Sequence, residues 1–459
     1  MKTKTSKIAP LIFLPVLLSC NREVEKPNII FLLTDDHRWD ALGYTGNNYI
    51  KTPNIDRLAE KGIIFNNAFV TTSISCASRA SILTGQYASR HKINDFQTDF
   101  SDSALFKTYP LILKKKAGYK IGFIGKYGVG LKKHPANEYD YWNCEKLIQP
   151  NYENFDSTGK MIHYTDLIDG RIKEFLDKFG KSGPFCLSVS FKAPHVQDND
   201  PRQFIYNQRY KDYYQDLFYP RPLSGDDKYW YLFPEKFREN NEARRRWEIR
   251  FKTDSMFRES VRGYYRLIQG VDDVVGNMVE KLKELGIERK TIIIMAGDNG
   301  FFLGEHGLAG KWFPYEESVR IPLFIYNPME KNKNNGKRIR EIALNIDIAP
   351  TILAFAGIEK DPGMQGEPLQ KLWRNNKKNW RNMFYYEHRF NHPGIPKSEA
   401  VVSLDYKLIH YYELPDSCYE FYDLKNDPFE IKNLINNSAY KNLVEKYMKL
   451  LDSLRLSVN

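Results

Sequence analysis

The chain has 459 residues, 42% of them hydrophobic and 27% charged, with 28 Gly, 23 Pro and 5 Cys. A disulfide-stapled miniprotein, a collagen-like repeat and a disordered polyelectrolyte are all excluded, and at ~150 residues per domain there is room for two or three domains with sizeable cores. The formal charge of +11, from 68 basic and 57 acidic residues, suits an anionic partner without choosing among nucleic acid, acidic glycan and membrane.

Lys2, Lys4 and Lys7 precede a short apolar run over 12–18 that ends in Leu17-Leu18-Ser19-Cys20. The run is too short for a spanning helix of ~20 residues and has the layout of an export leader. It resembles a bacterial lipoprotein signal, which implies that residues 1–19 are removed, that Cys20 is lipidated and that residues 20–26 tether the chain to a membrane in the periplasm or at the cell surface. Cleavage removes three lysines and no acid, taking the charge from +11 to +8. Cys76, Cys144, Cys186 and Cys418 are scattered, with no CxxC, and form neither a zinc pattern nor a disulfide framework.

From residue 27 the apolar run Pro-Asn-Ile-Ile-Phe-Leu-Leu ends in Thr34-Asp35-Asp36 and reads as a strand buried on both faces. Further strands are predicted over 121–124, 185–191, 291–296 and 322–326, with helical patterns over 111–117, 261–285 and 347–356. This alternation predicts an α/β domain over 27–375, a large mixed, mostly parallel sheet sandwiched by helices, with ligands beyond the carboxyl ends of its strands. Residues 197–253 are polar, rich in Tyr, Arg and Lys, and lack a sustained period, so they read as a surface insertion, and Arg244-Arg245-Arg246 reads as a solvated face. From 376 to 459 the pattern changes to short strands over 382–388, 399–404, 407–412 and 418–422, then a charged amphipathic helix over 438–454. That predicts a smaller antiparallel sheet plus helix as a C-terminal subdomain.

Asp35 and Asp36 end one predicted strand and Asp298 and Asn299 end another, so two sequence-distant sets of hard oxygen donors converge at one sheet edge and favour Ca²⁺ or Mg²⁺ over zinc. The segment Ser75-Cys76-Ala77-Ser78-Arg79-Ala80-Ser81-Ile82-Leu83-Thr84-Gly85 resembles the signature of the formylglycine-dependent type I sulfatases of the alkaline phosphatase-like superfamily. With Arg79 as anchor, Ser75 takes the modified position, Ala77 the Pro/Ala place, and Cys76 the variable one. Gly125-Lys126, Ala193-Pro194-His195, Tyr264-Tyr265-Arg266, Gly297-Asp298-Asn299-Gly300 and Gly304-Glu305-His306-Gly307 with Lys311 stand in the order of that family.

The resemblance implies that Ser75 is oxidised to formylglycine (3-oxoalanine) by an anaerobic-type radical maturing enzyme. It implies a Ca²⁺ held by Asp35, Asp36, Asp298, Asn299 and the modified Ser75. Arg79, Lys126, His195 and Lys311 would form the catalytic surroundings of the sulfate, and fixed cations there would offset charge growing on the leaving oxygen and the sulfuryl group. His37, Arg38, His306, Glu387, His388 and Arg389 are candidate substrate neighbours. The expected partner is a sulfated saccharide, and no nucleic-acid partner is expected. Many members follow the lysine with an aromatic residue and a histidine; here the run is Lys126-Tyr127-Gly128, so His91 or His195 would substitute for the missing histidine, or Ca²⁺ and Arg79 would carry the step. The Gly-Lys-Tyr form is similar to the branch acting on 6-O-sulfated N-acetylglucosamine. A phosphate or phosphonate monoester hydrolase of the same superfamily, and a non-catalytic glycan-binding lipoprotein, are the alternatives.

Overall fold

The computed structural model describes residues 26–459 apart from 147–148, 157, 331–335, 375 and 415–417. The predicted leader and Cys20 lie outside the described residues. Eight strands form the large sheet: β1 Asn28–Asp35, β2 Ile63–Phe65, β3 Lys120–Gly125, β4 Tyr141–Cys144, β5 Phe185–Pro194, β6 Thr291–Gly297, β7 Leu323–Tyr326 and β8 Lys337–Ile339. Their spatial order is β8-β2-β7-β6-β1-β5-β3-β4. All neighbours are parallel except β7, which runs antiparallel to both β6 and β2.

The continuous apolar run of β1 follows from cover on both faces. Ile29, Phe31 and Leu33 point into one core and Ile30 and Leu32 into the other. The first core is roofed by α1 Ser75–Thr84, α2 Tyr109–Ala117 and the helix Ile348–Phe355. The second is covered by α3 Tyr164–Phe179 and the 31-residue α5 Asp254–Glu284. In α5, Val261, Tyr264, Ile268, Val271, Val275, Met278 and Leu282 recur at three- and four-residue steps and are buried. It starts seven residues before the predicted 261 because Thr253 caps it, its hydroxyl accepting from the Met256 N–H at 3.2 Å.

The segment predicted as an aperiodic insertion contains short helices at Asp227–Trp230 and Glu235–Arg238, then α4 Glu242–Arg250, which packs next to the start of α5. At the C-terminus, β9 Met383–His388, β10 Ser398–Ser403, β11 Tyr406–Tyr411 and β12 Cys418–Asp423 make a separate antiparallel meander, with α7 Lys441–Val458 as the last helix, where α6 is the Ile348–Phe355 helix above. Phe384, Val401, Leu408, Phe421 and Tyr447 belong to the same buried cluster as Ile29 and Phe31, so the two sheets share a core. No helix among the described residues is long and apolar enough to cross a membrane.

Candidate active site

β1 and β6 are parallel neighbours with Thr34 beside Gly297, so Asp35-Asp36 and Asp298-Asn299 leave the sheet side by side. The chain turns sharply at Asp36, whose φ of 58° is left-handed, and the turn is pinned from both sides. The Asp36 N–H donates to Asp298 Oδ1 at 3.1 Å. The Tyr264 hydroxyl donates to the Asp36 carbonyl at 2.6 Å and accepts the Arg38 N–H at 2.9 Å. Opposite them, Ser75 is the first residue of α1, a helix in which every residue is buried, and its Oγ donates to Asp35 Oδ1 at 3.2 Å. Ser75 thus sits at the positive end of a helix dipole, a place that favours an anion. Cys76 is buried beside it, its thiol pushed up to about 12 by burial, and is not a reactive thiolate.

Arg79, one turn further along α1, joins the two acid pairs. Its Nε donates to Asp298 Oδ2 at 2.9 Å, its Nη2 to Asp35 Oδ2 at 3.2 Å and its Nη1 to the Lys126 carbonyl at 2.8 Å and to Ser190 Oγ. Lys126, at the end of β3, reaches Asp35 Oδ2. Lys311 holds Asp36 with Nζ at 2.6 and 2.8 Å from its two oxygens. His195, just past β5, has Nε2 3.4 Å from Asp36 Oδ2 and 3.1 Å from Gln149 Nε2, with Nδ1 2.6 Å from the Val196 carbonyl. A carbonyl only accepts, so Nδ1 carries the proton and Nε2 is the nitrogen turned to the site.

Burial alone would raise the Asp35 pKa, but the charges of Lys126, His195, Arg79 and Lys311 outweigh it and hold that carboxyl well below the usual range. Asp298 goes the other way, raised to about 6 by burial and by the charge of Asp35. Burial lowers the Lys126 pKa, and burial together with Lys311 lowers that of His195 to about 4. The donor set fits a hard cation: Asp35, Asp36, Asp298 and Asn299 are all buried. The Asn299 amide nitrogen donates to Asp36 Oδ1 at 2.6 Å and to the Gly300 carbonyl at 2.8 Å, while its Oδ1 is buried with no hydrogen-bond partner among the described residues. An orphaned amide oxygen beside three carboxylates is what an oxygen-ligated metal would satisfy. Asp35, Asp36 and His195 also offer ligand atoms within 4.8 Å of one another.

The other predicted residues are engaged elsewhere. The His37 ring lies 3.0 Å from Thr34 Oγ1 and 3.4 Å from the Ala41 carbonyl, buried and with its pKa lowered to about 4 by burial. Arg38 forks onto Asp40 and reaches Glu305 at 2.7 Å. It lines a cavity of about 710 Å³ together with Trp39, Tyr219, Glu317 and Arg320, and none of Ser75, Arg79, Lys126, His195 or Lys311 does. His306 stacks on Tyr315 with ring centroids 4.7 Å apart. Glu387 accepts from the Ser89 N–H at 2.7 Å and from Arg389 at 2.6 Å, and His388 is buried with neither ring nitrogen hydrogen-bonded among the described residues.

The His91 ring is held by other partners: its Nε2 meets Ser81 Oγ at 3.0 Å and its Nδ1 accepts the Ile93 N–H at 3.0 Å. The glycine at 128 has a local cause. Its φ is +73°, and a Cβ there would lie 2.7 Å from Arg79 Cδ, so the stem of Arg79 fills the space a side chain would need.

Sequence reasoning did not single out several neighbours. Lys192 on β5 is buried, donates to Pro150 O and, at 3.0 Å, to Gln197 Oε1, and lies 4.2 Å from the centre of the Tyr152 ring. Burial and Lys126 lower its pKa to about 7. Tyr386, on β9 of the smaller sheet, donates to the Trp312 carbonyl at 2.6 Å and accepts the Ser73 N–H at 3.4 Å, so the subdomain braces the chain near both Lys311 and Ser75. Arg246 and Arg250 of α4 each lie 3.3 Å from Asp198 Oδ1, and only Arg245 of the triple run is mostly exposed. Their four-residue spacing was the readable signal, masked by the charge run.

A model of the sulfatase family matches residues 27–358, and one of the N-sulphoglucosamine sulphohydrolase C-terminal region matches residues 304–457. The chain is 30% identical to an N-acetylglucosamine-6-O-sulfatase of Bacteroides thetaiotaomicron, over 95% of this chain and 88% of that protein. It is 29% identical to an arylsulfatase of Clostridium perfringens, over 93% and 94%. Among solved structures, one of a protein bound to its substrate D-glucosamine-2-N,6-O-disulfate superimposes with a TM-score of 0.79 at 28% identity, covering 94% of this chain and 97% of that one. A phosphonate monoester hydrolase of Silicibacter pomeroyi superimposes with a TM-score of 0.80 over 95% and 96%, but at 18% identity the likeness is one of fold.

Proposed function

The chain belongs to the sulfatase family, a family of sulfuric ester hydrolases, and from that premise we propose that it removes 6-O-sulfate from N-acetylglucosamine units of glycan fragments. The observation that carries the reading is Ser75, first residue of a buried helix, with its Oγ on Asp35 in a cluster of four buried oxygen-bearing side chains. The 6-O position is supported by the relative at 30% identity and by a human N-acetylglucosamine-6-sulfatase at 28% identity over 79% of this chain.

Oxidised to formylglycine by a radical maturing enzyme, Ser75 would supply a hydrated aldehyde as the nucleophile toward the sulfate ester. Ca²⁺, held by Asp35, Asp36, Asp298, Asn299 and the modified Ser75, would supply Lewis-acid polarisation of the sulfuryl group. The chain's own residues do the rest. Arg79 is a positioning residue: its guanidinium ties Asp35 to Asp298 and fixes the Lys126 backbone. Lys126 and Lys311 place two ammonium groups at the acids and offset the charge of a bound sulfate. His195 presents Nε2 to the site. Only its imidazolium form carries a proton there, so protonation of the leaving oxygen falls to that form or to Lys311. Tyr264 and Tyr386 hold the Asp36 turn and the segment after Lys311.

The non-catalytic alternative, which the missing histidine after Lys126 would support, loses ground on this geometry. Gly128, the support for a non-catalytic protein, is required by Arg79 packing. Lipid anchoring through Cys20, in the periplasm or at the cell surface, belongs to the same proposal and rests on the sequence. The test is hydrolysis by matured protein of 6-O-sulfated N-acetylglucosamine, N-sulfoglucosamine and a phosphonate monoester, read as released sulfate for the two sugars and as released alcohol for the phosphonate. Release from the first, lost on chelation and restored by Ca²⁺, is expected. Turnover of the phosphonate with none of either sulfated sugar would overturn the reading.

A further inference from the structure

The sulfate clamp does not account for how one sulfated ring is told from another, and a group suited to that task stands beside it. Asp198 lies three residues beyond His195. Its Oδ1 is 3.3 Å from Arg246 Nη1 and 3.3 Å from Arg250 Nη2, two side chains one turn apart on α4. Arg250 is buried and anchored through Nε to Gln203 Oε1 at 2.8 Å, and its Nη1 has no hydrogen-bond partner among the described residues. Arg246 bonds Glu242 at 2.7 Å and lies 4.9 Å from the ring centre of Trp312, the residue after Lys311. A Cβ on Gly310, the residue before Lys311, would lie 3.9 Å from Arg246 Cδ. Asp198 and Arg246 therefore bridge the segment carrying His195 and the segment carrying Lys311.

Asp198 also differs from the acids of the cluster in exposure. Its side chain is 36% exposed, whereas those of Asp35 and Asp36 are 0% and 1% exposed. Burial would raise its pKa, but His195, Arg246, Arg250 and Lys311 outweigh that effect and hold it at about 2, so it is a carboxylate throughout the working range. Both ion pairs, to Arg246 and to Arg250, fall on Oδ1, which leaves Oδ2 outside them.

The geometry points to Asp198 as the specificity-determining residue of the sugar subsite, accepting a hydrogen bond from a ring hydroxyl of the saccharide whose sulfate is removed. Arg246 and Arg250 position it. A carboxylate is an acceptor only, so it selects a ring that offers hydroxyl donors at C3 or C4 and opposes one that carries a second anionic group there. This rests on the sulfatase reading above, and the reaction chemistry at Ser75 does not depend on it.

The experiment uses matured full-length enzyme and its Asp198→Asn variant, which keeps size and shape. The substrates are 6-O-sulfated N-acetylglucosamine, its 3-deoxy and 4-deoxy analogues, and an aryl sulfate that has no ring hydroxyl. The expected result is a fall in kcat/KM of about tenfold on the sugar, the worth of one charge-assisted hydrogen bond, carried mainly by KM. Turnover of the aryl sulfate stays within about twofold, since nothing there contacts Asp198. One deoxy analogue loses a similar factor with wild-type enzyme and no more with Asp198→Asn, the non-additivity that marks a direct contact. Equal losses on sugar and aryl sulfate would make Asp198 a support for His195 and overturn the assignment, as would full additivity for both analogues. If neither the sugar nor the aryl sulfate is cleaved by wild-type enzyme, the sulfatase reading itself fails, an outcome distinct from both.

Discussion

Buried charge occurs in two parts of this molecule and does different work in each. At the edge of the large sheet, Asp35, Asp36, Asp298 and Asn299 crowd together, two lysines and one arginine press on them, and an Asn299 oxygen is left without a partner among the described residues. In the smaller sheet, Glu399 fills both oxygens: Oε1 accepts from His410 at 2.8 Å and Arg455 at 2.7 Å, and Oε2 from Tyr385 at 2.7 Å and Arg455 at 2.8 Å. The second cluster is closed and fastens α7 to β10. The first is over-supplied with charge and under-supplied with partners, the condition of a site that binds something. Burial of a charged group alone therefore does not mark function; the incompleteness of its hydrogen bonding does.

The largest expected effect falls on the first cluster. Ser75→Ala should reduce sulfate release by roughly three orders of magnitude or more, while Cys76→Ala stays within a few-fold. A sulfate-release assay with circular dichroism to confirm folding checks both, and equal losses would place the reacting residue elsewhere on α1. Next, Arg79→Ala and Glu399→Ala each strip a buried ionic cluster. Arg79→Ala leaves Asp35 and Asp298 facing each other and should cost about 3–5 kcal/mol along with activity. Glu399→Ala should lower the denaturation midpoint yet leave turnover per folded molecule unchanged, and a parallel fall in turnover would mean the smaller sheet does more than brace the site.

Gly128→His restores the residue common elsewhere in the family and is expected to fail here. The new Cβ meets Arg79 Cδ at 2.7 Å at a φ of +73°, so activity should fall tenfold or more with a loss of about 1–3 kcal/mol. A gain in activity would show that Arg79 can move aside.

The smallest effects are in pH dependence away from the site. Glu399 is held at about 2, burial opposing and His410, Arg455 and Tyr385 prevailing. Its pKa is lowered by folding, so its contribution is complete above the unfolded value and is lost as pH falls through the interval down to about 2. Glu420 is the reverse: burial raises it to about 7, with Tyr315 and Tyr422 donating to its Oε2 at 2.6 and 3.2 Å. Here the folded state binds the extra proton, so stability falls as pH rises from the ordinary carboxylate range through about 7. Glu420→Gln should raise the melting temperature by a few degrees at pH 8 and by nothing at pH 4.5. Equal shifts at both values would remove the titration of Glu420 as the cause.

The strands, their carboxyl-end acids and the hydroxyl-rich start of α1 were legible because each is a local pattern: an apolar run stopped by Asp-Asp or Gly-Asp-Asn, and Ser75 four residues before Arg79. Placement of neighbours just past a strand was not. His37 follows Asp36 directly, but the left-handed turn at Asp36 sends its ring back to Thr34 and Ala41. His306 and His388 are buried, His306 stacked on Tyr315, and no apolar period around either residue announces that burial. The reason for Gly128 lies in a side chain 49 positions earlier, which no local pattern carries. Arg246 was hidden in a charge run that, as three consecutive arginines on a helix, necessarily points three ways.

The most direct test of the central claim is mass spectrometry of the peptide containing Ser75 and Cys76, taken from catalytically active protein made with its radical maturing enzyme. The account predicts a residue at 75 with the mass of serine less two hydrogens, reactive toward an aldehyde probe, and an unaltered cysteine at 76. An active enzyme with unmodified serine at 75, or with the modification on Cys76, would contradict it.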